Sequence, residues 1–184
     1  MSVVAAYVHR TTGCRALGLG TPVVNRPSRR FRQALGCFME VASLHLQIRP
    51  GETFVSLRDQ VRRELLSVLP NTRSCPGNSP RRRAYDVMFN YQTARFEPLL
   101  GPTRTEFFTG TAAVAPERRL SALDGGGEYD ALVVTAHDFD GGGRLSLTFD
   151  LNAAVFDSAG CDAVVADFLA LLDTGLADPN VPIG

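Results

Sequence analysis

The chain has 184 residues, 45% of them hydrophobic and 21% charged, enough for one domain or one large lobe with a real core and ordinary for a folded protein. Nineteen basic residues balance nineteen acidic ones, which argues against nucleic acid as the main partner. All nineteen bases are Arg, so mechanisms that need Lys as Schiff base, general base or P-loop cation are excluded.

Taken in chain order, the first dozen residues predict a helix. Val4, Tyr7, Val8 and Thr11 fall at helical spacing, and Gly13 is placed to stop it. A chain that opens on an apolar helical face predicts that something precedes or covers that helix. Residues 15–24 predict a Gly- and Val-rich strand. The tract Arg26-Pro27-Ser28-Arg29-Arg30-Phe31-Arg32 reads as a solvated loop in preference to a surface for an acidic partner, and so does 81–83. Arg26 is the exception: it closes an apolar strand, where an Arg turns inward most easily to meet a carboxylate.

Residues 37–48 alternate as a strand with Phe38, Ala42, Leu44, Leu46 and Ile48 on one face and Glu40 as the intruder. An acid on an apolar face must find a partner or a cavity, or hold its proton more tightly. Pro50-Gly51 predicts a turn, then Thr53 an N-cap for a helix with Phe54, Leu57, Val61, Leu65 and Leu69 inward, ended by Pro70. Residues 71–83 read as a flexible loop. Tyr85 to Thr93 alternates again, Phe96 to Pro102 is irregular, Thr105 to Thr109 fits a short strand, and Ala115 to Gly127 reads mostly as loop.

Strands at 129–139 and 144–151 are joined by Asp140-Gly141-Gly142-Gly143, a strong hairpin signal. In the second strand Leu145, Leu147, Phe149 and Leu151 face in. Ser158 is placed to cap a last helix with an apolar stripe of Cys161, Val164, Val165, Phe168, Leu169 and Leu172. The pattern predicts an α+β lobe, with a mixed, largely antiparallel sheet from strands near 37–48, 85–93, 129–139 and 144–151 and helices packed on it.

No metal or catalytic constellation stands out. Cys14, Cys37, Cys75 and Cys161 form no Cys-x-x-Cys pair, and free thiols fit a reducing cytoplasm. The start lacks a signal-peptide plan, and no apolar run approaches the roughly 20 residues that span a bilayer. In His137-Asp138-Phe139-Asp140-Gly141 the Asp-Gly is explained by its hairpin, whose glycines supply the positive φ of the turn. Metal binding by His137, Asp138 and Asp140 is disfavoured because neighbouring strand residues point to opposite faces. His9 and His45 lack ligand-spaced companions. Gly18-x-Gly20 lacks a third Gly and a following helix, so it does not make a dinucleotide fingerprint, and no Gly-x-Ser-x-Gly elbow exposes a nucleophile.

Three segments taken in order carry a resemblance: Leu19-Gly20-Thr21-Pro22-Val23-Val24-Asn25-Arg26, Gly36-Cys37-Phe38-Met39, and Asp86-Val87-Met88-Phe89-Asn90-Tyr91-Gln92. The opening Ala5–Gly13 stretch and the ending from Leu171 to Pro182 extend it over nearly the whole chain. The chain resembles the C-terminal half of a nonribosomal peptide synthetase condensation domain. The resemblance implies one lobe, residues 1–184, of a two-lobed, V-shaped fold of the chloramphenicol-acetyltransferase type. It also implies a tunnel between the lobes for phosphopantetheine arms of acyl and peptidyl carrier proteins, with no cofactor bound directly, and amide formation between their thioester-bound groups.

The family's catalytic His-His-x-x-x-Asp-Gly belongs to the other lobe and has no counterpart here, so no catalytic residue is expected. Glu40-Val41 stands where the family has Asn-Thr, and Leu69-Pro70-Asn71-Thr72-Arg73 lacks the family's His. The candidates for the tunnel or lobe interface are Asn25, Arg26, Gly36, Phe38 and Glu40. The expected partners are an N-terminal lobe and carrier proteins, with self-association through the orphaned face. The competing expectations are a non-catalytic docking remnant and a stand-alone acyltransferase with a relocated site.

Overall fold

A computed structural model of the chain describes residues 1–24, 26, 28–70, 84–93, 99–100, 103–104, 117–121, 130–138 and 145–184. Helix α1 (Ser2–Thr12) ends as its glycine dictates: Gly13 has φ of 70° and its N–H donates to His9 O at 2.8 Å. Strand β1 (Ala16–Val24) pairs antiparallel with β2 (Met39–Gln47) along its whole length, Ala16 opposite Gln47 and Val24 opposite Met39. Between them the Arg-rich tract is not all loop. Arg29–Gln33 forms a short helix, α2, whose N-cap Ser28 accepts from Phe31 N.

Helix α3 (Phe54–Val68) starts on a reciprocal cap. Ser56 N–H donates to Thr53 Oγ1 (3.2 Å) and Thr53 N–H to Ser56 Oγ (2.9 Å). Its Phe54, Leu57 and Val61 are buried, whereas Leu69, just past the helix end, is exposed and not part of the core stripe.

Strands β3 (Val87–Thr93), β7 (Leu132–Asp138) and β8 (Ser146–Asn152) lie where alternation places them. Leu145 falls just ahead of β8 and is exposed, so the inward row begins at Leu147. A two-residue pair, β4 (Leu99–Leu100) with β5 (Thr103–Arg104), stands apart. Strand β6 (Glu117–Ser121) lies in a stretch expected to be loop. Its Glu-Arg-Arg-Leu-Ser sequence carries no apolar alternation, and it is a strand because its backbone pairs in parallel with β8 at the sheet edge. The expectations for 71–83, Thr105–Thr109 and the Asp140–Gly143 turn lie outside the described residues.

The six-stranded sheet runs β2-β1-β3-β7-β8-β6. It is mixed: β1/β2 and β7/β8 are antiparallel, and β1/β3, β3/β7 and β6/β8 are parallel. The parallel ladders follow from connections that cross over rather than turn back, as α3 does between β2 and β3. Leu17, Leu19, Leu44, Leu46, Leu132, Val134, Phe149 and Leu151 form the inner face.

The core also draws on α1, α3 and α4 (Ser158–Ala177). Val4, Ala5, Ala6 and Tyr7 of α1 are all buried, as a helix apolar on several sides requires, with α3 and α4 packed beside it. The chain itself supplies cover for this helix. Asp157, not Ser158, caps α4, accepting from Gly160 N–H at 2.7 Å. The tail returns to α3: Ile183 N–H donates to Glu52 O and Val55 N–H to Pro179 O.

Phe168 of α4 is the keystone of this layer, its ring 5.1 Å from Phe149 edge-on and 6.0 Å from Tyr7. Truncation removes both ring contacts and opens a cavity. We expect Phe168→Ala to cost about 3–5 kcal/mol in chemical denaturation; a loss below about 1 kcal/mol would place the side chain outside the core.

Candidate functional site

The sequence singles out the end of β1 and the start of β2, and the structure gathers four of its five candidates there. Arg26 follows β1 directly. Among the described residues it meets no carboxylate; its guanidinium instead holds the 28–38 connection by its backbone. One terminal nitrogen donates to Phe31 O (2.6 Å) and Ala34 O (2.7 Å), the other to Gly36 O (2.7 Å). The cation also lies 4.5 Å from the centroid of the Phe38 ring.

The inward ion pair expected of Arg26 is thus replaced by a carbonyl clamp. The planar fork explains this: it reaches three acceptors at once, and a short connection without acidic residues offers only carbonyls. Gly36 carries φ of 140°, which a residue with a Cβ rarely adopts, and its carbonyl thereby meets the fork. Phe38 is half-buried between Arg26 and Phe31, whose ring meets it edge-on at 5.7 Å.

Glu40 sits on β2 opposite Val23, on the core-facing side and half-buried. Its carboxylate has no hydrogen-bond or ion-pair partner among the described residues. Asn25 lies outside the described residues.

On the opposite, helix-free face, Val24, Met39 and Val41 are 74, 57 and 43% exposed. Register makes them neighbours: Val24 faces Met39, and Val41 faces Pro22. The strip is apolar and open to solvent.

Two further features escape sequence reading. Tyr91 Oη donates to Asp138 Oδ2 at 2.8 Å, joining the ends of β3 and β7. That bond, some burial and the nearby negative charge together raise the phenol's pKa above its ordinary value of 10. Detecting the pair requires the β3/β7 register, which no local pattern in either strand supplies. The second feature is a cavity of about 460 Å³ at the other end of β1, walled by Tyr7, Leu17, Val87, Leu132 and Phe156.

The histidines play local parts. His137 and Asp138 project to opposite faces, His137 Nε2 lying 3.2 Å from Thr148 Oγ1 while Asp138 meets Tyr91. His9 Nδ1 lies 2.7 Å from Cys14 O, and His45 is exposed on β2. Gly18 and Gly20 serve packing. A Cβ on Gly18 would strike Ala84 O, and one on Gly20 would come within 2.6 Å of the Tyr85 ring. Among the described residues no three His, Cys, Asp or Glu side chains are grouped to hold a metal, and no helix is long and apolar enough to cross a membrane.

Two variants test this geometry. Arg26→Ala removes three charge-assisted bonds and a ring contact from a partly exposed site, so we expect a loss of about 2 kcal/mol. Faster amide exchange across 28–38 should accompany it. Arg26→Lys, a point charge without the fork, should recover less than half of that loss; full recovery would mean that charge alone suffices.

The folded state keeps Tyr91 protonated past the pH at which an unfolded chain ionises it. The pair's contribution to stability is therefore complete below pH 10 and lost as the pH rises beyond it. In a tyrosinate absorbance titration, Tyr91→Phe should remove one late-ionising group and Asp138→Asn should bring that group earlier. A titration unchanged by either substitution would refute the pair.

Comparison with known proteins places this geometry. The condensation domain family model matches residues 1–184. A phosphinothricin tripeptide synthetase of Streptomyces viridochromogenes is 27% identical over 98% of this chain, and surfactin synthase subunit 1 of Bacillus subtilis is 25% identical over all of it. The aligned regions amount to 16% and 5% of those proteins, so the chain spans a small part of the curated relatives it matches. Among solved structures, a starter condensation domain of a rhizomide synthetase superposes with a TM-score of 0.74 at 25% identity. The match covers 99% of this chain and 42% of that one. The first condensation domain of the CDA synthetase superposes at 0.64 and 20% identity, covering 39% of its own length. The α+β chain thus spans about two-fifths of these solved condensation domains, and it belongs to the condensation domain family.

Proposed function

We propose that residues 1–184 are the C-terminal lobe of a condensation domain. It contributes one wall of a tunnel in which an amide forms between carrier-protein-bound acyl and aminoacyl groups. In that reaction the acceptor amine attacks the donor thioester carbonyl, a C–N bond forms, the C–S bond breaks, and the thiol leaves on its phosphopantetheine arm. The arm is the substrate's handle and not a resident cofactor.

The lobe lacks a base for this step, and an N-terminal lobe carrying His-His-x-x-x-Asp-Gly would supply it. The observation that carries the proposal is coverage: the chain aligns end to end with solved condensation domains, yet with only about two-fifths of their length. The exposed strip of Val24, Met39 and Val41 beside Arg26 and Phe38 supports it as the face that a second lobe covers. Glu40 lies on the opposite side of β2 from that strip, toward the helix layer. The exposed thiols of Cys14 and Cys37 fit the reducing cytoplasm as the place of action.

A second reading, a non-catalytic remnant that only docks partners, draws support from Glu40 and Val41 standing where the family has Asn-Thr. One assay separates the two. The purified chain, alone and with the His-bearing lobe added or fused, is given donor and acceptor carrier thioesters. We expect no amide from the chain alone and steady turnover with the lobe, while light scattering should show self-association that the lobe relieves. Binding of the lobe without turnover would favour the remnant. Turnover by the chain alone, abolished by His137→Ala, would overturn both and relocate the active site.

A further inference from the structure

We propose that α2 and its flank, Arg29, Arg30 and Arg32 set around Phe31 and Leu35, form a docking surface for the acidic face of a carrier protein. The inference rests on the lobe reading above and adds the surface that the partner uses.

The first support is the distribution of charge. Before Glu40 there are six arginines, Arg10, Arg15, Arg26, Arg29, Arg30 and Arg32, and no acid. From Asp130 onward there are nine aspartates and one Arg, Arg144. Charge is therefore uneven along the sequence, and α2 is the densest point of its acid-free opening stretch.

The second is that these guanidiniums are idle. The side chains of Arg29, Arg30 and Arg32 are exposed and have no hydrogen-bond or ion-pair partner among the described residues, whereas Arg26 beside them makes three bonds. Three like charges on a five-residue helix repel one another and stabilise nothing internally. A helix so short does not persist by itself; Arg26 holds it by binding Phe31 O, inside the helix, and Ala34 O at its end. The cations are thus presented on a braced platform, which lowers the ordering cost of a partner.

The third is what lies between the charges. Phe31 is 42% exposed and Leu35 fully exposed. A partner that combines carboxylates with apolar side chains buries both kinds of group at once. A nucleic-acid backbone would engage the arginines and leave Leu35 in water. The platform also leads through Gly36 and Phe38 to Met39 at the start of β2, so a carrier seated on α2 stands one short loop from the exposed strip proposed as the covered face.

The test titrates the full chain calorimetrically with the phosphopantetheinylated carrier domain of the synthetase to which it belongs, at low and physiological salt. We expect the Arg29→Ser/Arg30→Ser/Arg32→Ser variant to bind about tenfold more weakly, with a flattened salt dependence. Leu35→Ser, which leaves the charge intact, should weaken binding about threefold with the salt dependence kept. The control Arg58→Ser/Arg62→Ser/Arg63→Ser makes the same charge change on exposed α3 positions and should bind like the unaltered chain.

Equal losses from the α2 and α3 variants would reduce the effect to net charge and overturn the proposal. So would competition by an RNA oligonucleotide at equal concentration. A carrier that binds the α2 variant as tightly as the unaltered chain sinks this surface alone and leaves the lobe reading standing. A carrier that does not bind at all removes this surface and the carrier partnership with it, while the lobe-addition assay still judges the lobe reading.

Discussion

Everything in this sheet hangs on a narrow joint between β1 and β3. Two register pairs connect these strands, Leu19 with Val87 and Gly20 with Met88, yet the joint unites the N-terminal hairpin with β7, β8 and β6. It closes because β1 offers no side chain at Gly18 and Gly20, so that Ala84 O and the Tyr85 ring can lie against its backbone. A methyl at either position would collide with main chain or ring, and β3 could not enter beside β1. The glycines that look like a fragment of a nucleotide fingerprint are therefore spacers in a strand interface.

At the other end of β1 the problem is reversed, since there the backbone leaves the sheet and must be held. Among the described residues Arg26 makes three of the bonds that do this. A connection without acids cannot be stapled by salt bridges, but its carbonyls are unpaired acceptors, and a planar cation can collect several. The resulting knot of Arg26, Gly36 and Phe38 sets where β2 begins, and with it which face Glu40 takes. A one-residue slip would send Glu40 to the helix-free face and Met39 and Val41 to the core side. The identity of the candidate site is thus a matter of register, set by one guanidinium.

Much of this was legible in the sequence, for physical reasons that can be named. Strands β2, β3, β7 and β8 alternate, and α3 and α4 carry apolar stripes, because each buries one face against the other layer. The misreadings fall where local pattern and structure part company. Strand β6 is an edge strand held by backbone pairing, so its side chains keep no rhythm. Leu69 and Leu145 continue a correct period past the end of their elements, where nothing remains to bury them. Asp157 outcompetes Ser158 as a cap, although both types suit the position. The arginine at position 26 was picked out, but its carbonyl partners depend on the path of a loop that periodicity does not describe. The Tyr91–Asp138 bond joins residues 47 positions apart and exists through register alone.

The burial of α1 has a consequence for how the chain is made. Its Val4, Ala5 and Ala6 are wholly enclosed, but the elements beside it come late: α3 from residue 54 and α4 from residue 158. A ribosome working at about 5–20 residues per second needs roughly 8–30 s between the emergence of α1 and that of α4. For that interval a helix face that ends fully buried is without its final shelter, and the contacts that will enclose it span most of the sequence. Folding is therefore slow and long-range in character.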